Sequence, residues 1–482
     1  MYLWIVIVGG AFSFFAAMGI GANDVANAFA TSVGSKTLTF KQAVILAAIF
    51  ETSGAILMGN HVTNTIRKDI ADYQCFEDEP YILMYGCMWV ILSVGMWLFL
   101  ASYYEMPVST THSCVGGMVG MALVLGGGNC VIWYKETDTF PYIGGVCGIV
   151  LSWFISPIFS GMISCFVFGI TRCAVLRHDF KTKRINFLYP ILIGSTITIN
   201  TFFIIYKGAK GIGLDKTPIG TAVAIAFGAG GLCAVITIPI VPKIKKYIEN
   251  KFQVSNGISH VEGSGDLELM DINMSEKEKN QIETMHNSAE KYDPKHEELF
   301  KYLQVFTAIC DSFSHGANDV ANAIGPFATI YTIYNSNGIL SKKNSMGDDG
   351  YWILLLGGTG IAAGLIIYGQ KITLALGEKL CKITPSRGVA IELGSALVII
   401  TGSRLKMPLS TTHCQVGATI GVGLLEDHQK CGGINCRVLL RTAFGWIATC
   451  FIVGLTSAIL ASQGAYGPTL KEYQTCHLNN TL

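Results

Sequence analysis

The octapeptide GANDVANA occurs twice in this chain, at 21–28 and again at 316–323. A second motif, Pro-x-Ser-Thr-Thr-His, is also doubled, as PVSTTH at 107–112 and PLSTTH at 408–413. The two pairs of copies are separated by 295 and 301 residues, so they belong to one long duplication with a small insertion. The architecture of the chain must therefore be derived from this repeat.

The composition places the duplicated segments in a membrane. Of the 482 residues, 51% are hydrophobic and 14% are charged, against roughly 25% charged in typical soluble proteins. Moreover, 21 of the 67 charged residues lie between Lys243 and Tyr302. The rest of the chain has too few charges to cover a soluble fold, so lipid must face much of it. The net charge of +1 argues against nucleic acid, which requires a strongly basic face.

Apolar runs of about 20 residues, the length that crosses a bilayer, predict an all-α polytopic membrane protein. Some runs could be re-entrant rather than spanning, especially the short pair that flanks Pro408. The twelve candidate segments lie near 2–22, 42–60, 82–102, 108–128, 142–170, 187–206, 219–241, 303–334, 352–376, 388–403, 409–425 and 440–462.

A polar segment, 243–302, divides the chain into two membrane halves. The N-terminal half, 1–242, contains the first repeat at about 1–128 and then connecting helices, and the C-terminal half, 303–482, contains the second repeat. The polar segment has few large apolar residues after Val261, so it cannot bury enough surface to offset the entropy of ordering. We expect a mobile linker there, which could equally hold a regulatory site.

The distribution of Lys and Arg between the loops predicts the orientation. With the N-terminus outside, the inner loops hold fifteen of these residues and the outer loops eleven, and both dense clusters, 171–184 and 243–246, are inside. Both termini are then extracellular and the 243–302 loop is cytoplasmic. An N-x-T sequon at Asn479 would lie outside, which favours the plasma membrane.

The cysteines do not indicate a metal site. The 15 of them show no C-x-x-C pair and no Cys/His zinc spacing. Most lie in apolar runs, where a free Cys behaves as a small hydrophobic residue. Three lie in predicted outer loops and could form a disulfide: Cys75, Cys130 and Cys476. The first apolar run begins at Tyr2 with no basic region before it, so we expect no cleavable signal peptide.

The number of spans between the copies sets their relative orientation. The first GANDVANA lies in the first predicted span and the second in the eighth, and the Pro-x-Ser-Thr-Thr-His copies open the fourth and the eleventh. An odd separation of seven spans places the second copy upside down in the bilayer. The sequence therefore predicts an inverted-topology repeat, typical of secondary transporters whose substrate site lies between the halves near the midplane.

Each GANDVANA copy puts one carboxylate and two amides within roughly a 100° arc of a helix. A carboxylate at bilayer depth is costly and normally serves an ion path or a partner. Oxygen ligands of this kind suit a hard cation such as Na⁺, although the Asp could instead carry a proton or simply join helices together. These residues are Asn23, Asp24 and Asn27 in the first copy and Asn318, Asp319 and Asn322 in the second.

In each Pro-x-Ser-Thr-Thr-His copy, the proline favours the start of a helix. The hydroxyl residues then occupy the first turn, where unpaired backbone N–H groups and the helix dipole favour an anion. A Pro-kinked helix whose hydroxyls bond to their own carbonyls is the structural alternative. The hydroxyl residues are Ser109, Thr110 and Thr111, and Ser410, Thr411 and Thr412.

Together the copies would place two helix N-termini and two carboxylates around one point. Bound cations would supply the positive charge that an anion needs there, which couples the two fluxes electrostatically. The sequence therefore predicts an anion symporter. His112 and His413 follow the hydroxyl runs, and we expect them to fix the loop by hydrogen bonding rather than to bind the anion or a proton.

Two further acids in apolar segments have no twin in the other repeat. Aligning GNHVT (59–63) with GQKIT (369–373) pairs Glu51 with Ile361, and the 301-residue offset pairs Glu392 with Ile91. Our hypothesis is that these glutamates bind the coupling cation or gate its entry. A protonated Glu that is hydrogen-bonded between helices is an equally open interpretation.

These segments resemble the inorganic phosphate transporter (PiT) family of sodium- or proton-coupled phosphate symporters. Besides both doubled motifs, the resemblance rests on FETSGAILMG (50–59), SHGANDVANAIGP (314–326) and IELGSALVI (391–399). It implies about twelve helical segments in an inverted repeat, and phosphate import driven by a sodium or proton gradient. The family also has homodimeric members.

The resemblance also implies roles for individual residues. Implied phosphate ligands are Ser109, Thr110, Thr111, Ser410, Thr411, Thr412, Asn23 and Asn318. Implied sodium ligands are Asp24, Asn27, Asp319, Asn322, Thr111, Thr412, Glu51 and Glu392. We expect no cofactor besides the cotransported sodium, and as partners phosphate, sodium, the lipid bilayer and a second copy of the chain.

Other functions fit parts of this pattern. An intramembrane hydrolase could use Ser109 with His112 or Ser410 with His413, since a paired Ser and His support nucleophilic chemistry. Such an enzyme has no evident need for an inverted duplicate, however, so we expect a transporter and not an enzyme. A passive anion channel, or a transporter of sulfate or arsenate, would use the same helix termini.

Overall fold

The computed structural model describes residues 2–138, 142–206, 214, 217–255, 276–340, 350–426 and 433–467. Within these ranges the chain forms fourteen α-helices and one short ribbon that pairs Lys135–Glu136 with Ile143–Gly144. The helices are α1 Leu3–Asn23, α2 Val25–Gly34, α3 Phe40–Lys68, α4 Pro80–Tyr103, α5 Thr110–Gly126, α6 Gly145–Thr171, α7 Arg184–Ile205, α8 Ile219–Ser255, α9 Glu276–Ser288, α10 Pro294–Asn335, α11 Tyr351–Lys379, α12 Pro385–Arg404, α13 Thr411–Gly423 and α14 Cys436–Tyr466.

The predicted all-α membrane fold is confirmed. Each of the twelve predicted segments falls largely within a helix, and in the described part of the chain eight helical stretches are long and apolar enough to cross a membrane. Helices α5 and α13 are shorter, at 17 and 13 residues. Twelve complete crossings therefore stay a prediction, and the short helices fit the re-entrant alternative.

The short helices belong to two hairpins, α4–α5 and α12–α13, that turn at matching motifs. Helix α5 begins at Thr110, so Ser109 is its N-cap and accepts a hydrogen bond from the His112 N–H at 3.3 Å. Ser410 caps α13 in the same way, with the His413 N–H also at 3.3 Å. Each proline thus lies just before the cap, and the two threonines form the first turn of each short helix.

The two halves of the chain make matching close contacts. A Cβ atom on Gly21 would overlap the Ile361 carbonyl, and one on Gly316 would overlap the Glu51 carbonyl. Gly21 and Gly316 are the 295-residue twins, and Glu51 and Ile361 are the residues that the sequence alignment pairs. Helix α1 therefore packs on α11 as α10 packs on α3, backbone against backbone.

The expected mobile linker does not hold for the described parts of 243–302. Helix α8 continues to Ser255, and 276–302 form α9 and the start of α10. The intervening residues, 256–275, lie outside the described residues. Ordering of the later part is explained by packing, because Leu299 and Phe300 are buried in a cluster with residues of α6, α7 and α12.

Glu290, between α9 and α10, attaches this segment to the end of the helix bundle. Its carboxylate accepts two hydrogen bonds from Arg177, at 2.8 and 2.9 Å, and its backbone carbonyl accepts one from Arg387 at 2.8 Å. Its N–H donates to the Glu426 carboxylate at 2.8 Å. Hydrogen bonding to the Arg177 guanidinium lowers the pKa of the Glu290 carboxyl below its usual value.

At the opposite end, Cys75 and Cys130 form a disulfide between the α3–α4 and α5–α6 connections, while Cys476 lies outside the described residues. The bond closes a separation of 55 residues, which the chain-entropy model equates with about 4 kcal/mol of stability.

We expect Cys75→Ser to lower the thermal midpoint in detergent under non-reducing conditions. Reductant should lower the wild-type midpoint to the same value and leave the variant unchanged; equal midpoints without reductant would contradict the bond.

Candidate functional site

The site lies where the two GANDVANA copies meet the N-termini of the two short helices. Asp24 interrupts the first helix, because α1 ends at Asn23 and α2 begins at Val25. Asp319 lies inside the continuous helix α10. Both aspartates are buried, at 1% and 0% exposure, so each needs partners inside the protein.

Threonine hydroxyls supply these partners to both carboxylates at once. The Thr411 hydroxyl lies 2.6 Å from Asp319 Oδ2 and 3.5 Å from Asp24 Oδ2. The Thr110 hydroxyl lies 3.0 Å from Asp24 Oδ2 and 3.3 Å from Asp319 Oδ2. Thr412 donates to Asp24 Oδ1 at 2.5 Å. Residues of both repeats therefore surround one point.

The two hairpin tips also contact each other directly. The Ser109 and Ser410 hydroxyls lie 2.8 Å apart. The Thr111 hydroxyl donates to the Leu409 carbonyl at 2.7 Å, and the Thr412 hydroxyl lies 3.4 Å from the Val108 carbonyl. All six predicted Ser and Thr residues are thus brought together.

The asparagines before the aspartates hold the hairpins. The Asn23 amide donates to the Ser102 hydroxyl and the Met106 carbonyl at 3.1 and 3.0 Å, and its Oδ1 accepts from the Val108 N–H at 3.0 Å. Asn318 donates to the Ser403 hydroxyl at 2.9 Å and lies 3.3 Å from the Met407 carbonyl. Both amides therefore position the hairpin tips rather than point at Asp24 and Asp319.

Asn322, the second asparagine of the second GANDVANA copy, contacts the central threonines and Asp319. Asn322 Nδ2 lies 3.1 Å from the Thr110 hydroxyl, 3.2 Å from the Thr111 hydroxyl and 3.3 Å from Asp319 Oδ1. Asn322 is therefore part of the central cluster. The side chain of Asn27, its twin, lies outside the described residues.

Glu51 reaches the site through His315, a residue to which the sequence analysis gave no role. His315 Nδ1 lies 2.9 Å from Glu51 Oε2, and its Nε2 lies 3.0 Å from Asp319 Oδ2. Ser312 also donates to Glu51, at 3.2 Å. The four-residue spacing of His315 and Asp319, which puts both on one helix face, could have indicated this pair. Ile20 occupies the matching position in the first repeat.

Glu392 lies apart from the central cluster, in a set of hydroxyl donors at the α2 end. Its carboxylate accepts from Thr31 and Ser32 at 2.6 Å each, and from Thr307 at 2.5 Å. Gln304 Nε2 adds a contact at 3.2 Å. The fully buried Glu392 is thus satisfied by residues of α2 and α10, and by neither short helix.

Asp311 is a further buried acid that the sequence analysis missed. It precedes His315 by one helix turn, on the same face of α10 as Asp319, and it is 1% exposed. Its charged neighbours include Glu392, His315 and Glu51. The matching position in the first repeat is Ala16, so the second repeat carries two additional ionisable groups on this face.

The histidines of the hydroxyl motifs face away from the aspartates. His112 stacks on Trp153 with ring centroids 3.6 Å apart, and His413 contacts Trp446 at 3.7 Å. His413 Nδ1 lies 3.1 Å from the Trp153 carbonyl. The hydrolase alternative requires an imidazole on the serine hydroxyl, whereas Ser109 Oγ is bonded to Ser410 and to the His112 backbone. The geometry therefore does not fit a Ser–His nucleophile.

The central cluster suits a cation more than a bare anion. Ligand atoms of Asp24, His315 and Asp319 all lie within 4.8 Å of one another. Two carboxylates at about 5 Å repel each other by about 3 kcal/mol at an effective dielectric constant of about 20. Bound cations remove this repulsion, and they also let an oxyanion approach the helix N-termini.

Comparison with known proteins identifies the family of this chain. The model of the phosphate transporter family matches residues 20–457. The chain belongs to the phosphate transporter family. This phosphate transporter is 28% identical to the phosphate-repressible phosphate permease of Neurospora crassa, over 95% of this chain and 96% of the relative. It is 26% identical to the sodium-dependent phosphate transporter 1 of Xenopus tropicalis, over 96% of each chain.

A solved structure extends the likeness to the fold. "The sodium-dependent phosphate transporter" superposes with a TM-score of 0.77 at 31% identity, covering 96% of this chain and all of that one. The family resemblance drawn from the motifs is therefore confirmed, and so is the prediction of a transporter rather than an enzyme. The protein is an integral membrane phosphate transporter.

Proposed function

We propose that this phosphate transporter imports phosphate by sodium symport through alternating access. The observation that carries the proposal is that Asp24 and Asp319, one from each repeat, share the Thr110 and Thr411 hydroxyls. Carboxylate, amide and hydroxyl oxygens are the ligands of a hard cation. Sodium bound there would compensate the charge of phosphate, so that neither solute binds well alone.

The repeat supports alternating access. Twin contacts at Gly21 and Gly316, and hairpins of matching geometry at Ser109 and Ser410, fit two inverted repeats that exchange conformations around one site. We place phosphate at the Ser and Thr hydroxyls of the hairpin tips, and sodium at Asp24, Asp319, Asn322 and Asn27. Asn23 and Asn318 would support the phosphate shell by holding the hairpin tips in place.

Glu51 and Glu392 have separate places in the proposal. Glu51 acts on the cation site through His315, while Glu392 binds a cation on its way along α2 and α10. Sodium is cargo, and we propose no other cofactor. We further propose a homodimer in the plasma membrane. Both termini would lie outside and 243–302 inside, and the distribution of Lys and Arg supports this orientation.

A proton-coupled symporter is the second candidate, and one observation favours it. His315 bridges Glu51 and Asp319 at 2.9 and 3.0 Å, an arrangement in which an imidazole can exchange protons with two carboxylates. Sodium remains the first choice because Asp24 and Asp319 lie among the Thr110, Thr411 and Thr412 hydroxyls, and together these groups offer a hard cation several oxygen ligands.

Radiolabelled phosphate uptake into proteoliposomes separates these candidates. We expect saturable accumulation under an inward sodium gradient at equal pH on both sides. A pH gradient without sodium should give less than about a tenth of that rate. Accumulation driven only by the pH gradient would instead establish proton coupling, and equilibration without accumulation would establish a passive channel.

A further inference from the structure

The two hairpin tips share an unusual backbone and carry opposite charges. Glu105 and Lys406 both have positive φ angles, 52° and 61°, and each precedes the N-cap serine of its short helix by four residues. The next residues also match, since Met106 N donates to Ala101 O and Met407 N donates to Gly402 O, both at 2.9 Å. Glycine is the usual residue in this conformation at a helix C-terminus.

Backbone strain at non-glycine residues clusters at functional sites, so strain at the same position of both repeats suggests a functional role. Here the strain recurs at twin positions of the repeat while the charge changes sign. Each charge adjoins the central site, because Asn23 bonds the Met106 carbonyl at 3.0 Å and Asn318 lies 3.3 Å from the Met407 carbonyl. Glu105 and Lys406 are therefore each one residue away from a backbone carbonyl that contacts a GANDVANA asparagine.

Glu105 faces the end of the molecule that holds the α9–α10 segment. It lines a cavity of about 70 Å³ together with Pro107, Lys379 and Arg441. The Glu105 carboxylate lies 3.9 Å from Lys379 Nζ, so it partly neutralises this cation, and Arg441 lines the same cavity. Two basic side chains beside the tip of a phosphate-binding hairpin form a site for an oxyanion.

Lys406 faces the other end. Its carbonyl accepts a hydrogen bond from Thr65 near the end of α3, at 2.8 Å. The neighbouring Arg404 lies against His61 at 2.8 Å and over the Tyr206 ring at 5.6 Å. This tip is therefore cationic, on the side where the sequence analysis places the extracellular loops.

We propose that Lys406 attracts phosphate to the outer hairpin tip, whereas Glu105 competes with phosphate for Lys379 and Arg441 at the inner tip. The inference rests on the proposed function. It adds an inner anion site at Lys379 and Arg441, for which the Glu105 carboxylate competes with phosphate. The charge at each hairpin tip sets the apparent phosphate affinity at that face of the membrane. They do not set the direction of net transport, which the cation gradient determines.

The test is phosphate–phosphate exchange, which needs no gradient, in intact cells for the outer face and in inverted vesicles for the inner face. We expect Lys406→Glu to raise the outer KM for phosphate about tenfold, and Glu105→Gln to lower the inner KM about threefold. The first variant changes the charge by two units and the second by one, so the first has the larger effect. Lys406→Arg, which keeps the positive charge, should leave the outer KM at the wild-type value. Both shifts should shrink at high salt.

Lys135→Glu is the matched control for charge alone, because Lys135 is exposed on an outer connection and pairs with Asp69. Its outer KM should stay within twofold of the wild type. An unchanged outer KM in Lys406→Glu, or an unchanged inner KM in Glu105→Gln, would overturn the inference. Phosphate exchange still measures the KM at both faces if sodium coupling fails. A failure of this inference is therefore distinguishable from a failure of the proposed function.

Discussion

Asp24→Asn is expected to abolish cation-driven accumulation of phosphate, with a loss of about a hundred- to a few thousandfold in initial uptake. Asparagine keeps the size of the side chain and can still accept the hydrogen bond from Thr412. It removes the negative charge that a sodium ion would neutralise. Breaking a buried charged pair costs about 3–5 kcal/mol, and each 1.4 kcal/mol is a factor of ten, which gives the expected range.

Asp319→Asn should behave in the same way, because its carboxylate shares Thr110 and Thr411 with Asp24. The measurement is sodium-driven uptake into proteoliposomes, together with the sodium dependence of thermal stabilisation by phosphate. Asp69→Asn is the matched control, since Asp69 is a partly exposed carboxylate paired with Lys135 and should transport normally. Sodium-driven accumulation retained in both site variants would refute the assignment of the cation site.

The sequence was sufficient to predict which residues converge, because the convergence follows from the repeat. Two motifs that are each predicted to lie seven spans from their copies were expected to approach one site from opposite directions. This places Asp24 with Asp319 and Ser109 with Ser410, and the structure brings both pairs together. The same argument could not give the roles of Asn23 and Asn318, since adjacent residues of a helix point about 100° apart and only the fold shows what lies in each direction.

The groups without twins were harder to place. His315 has no twin in the first repeat, and its contact with Glu51 depends on how α3 packs against α10. Asp311 has the same four-residue spacing and was overlooked because it lies outside the repeated octapeptide. For Glu392 the sequence left open a cation ligand, a gate and a carboxyl hydrogen-bonded between helices, and only the fold shows that hydroxyls of α2 and α10 surround it. Unlike a repeat, such tertiary contacts leave no pattern along the chain.

The polar segment was misjudged for a related reason. Its composition predicted disorder because few apolar residues were available for burial. Glu290 is nevertheless fixed by Arg177, Arg387 and Glu426, which are remote in sequence. Charged groups that pair only in the folded state cannot be distinguished from a solvated linker by composition alone.

Gly21→Ala and Gly316→Ala are expected to destabilise the fold, each by about 3 kcal/mol or more, the upper range for overpacking. The added methyl group would overlap the Ile361 carbonyl in the first variant and the Glu51 carbonyl in the second. A flexible side chain could move aside, but these carbonyls belong to the backbones of α11 and α3. Either helix would have to shift as a unit, and the site would shift with it.

The measurement is the thermal midpoint in detergent, with phosphate uptake in parallel. Gly228→Ala is the matched control: Gly228 lies within α8, and a Cβ there meets no atom within 4 Å. This change should leave uptake intact and stabilise the helix by up to about 1 kcal/mol, because alanine has the higher helix propensity. Wild-type midpoints in both twin variants would show that α1 and α10 do not pack this closely. A loss in one variant alone would show that the two halves are not matched at this contact.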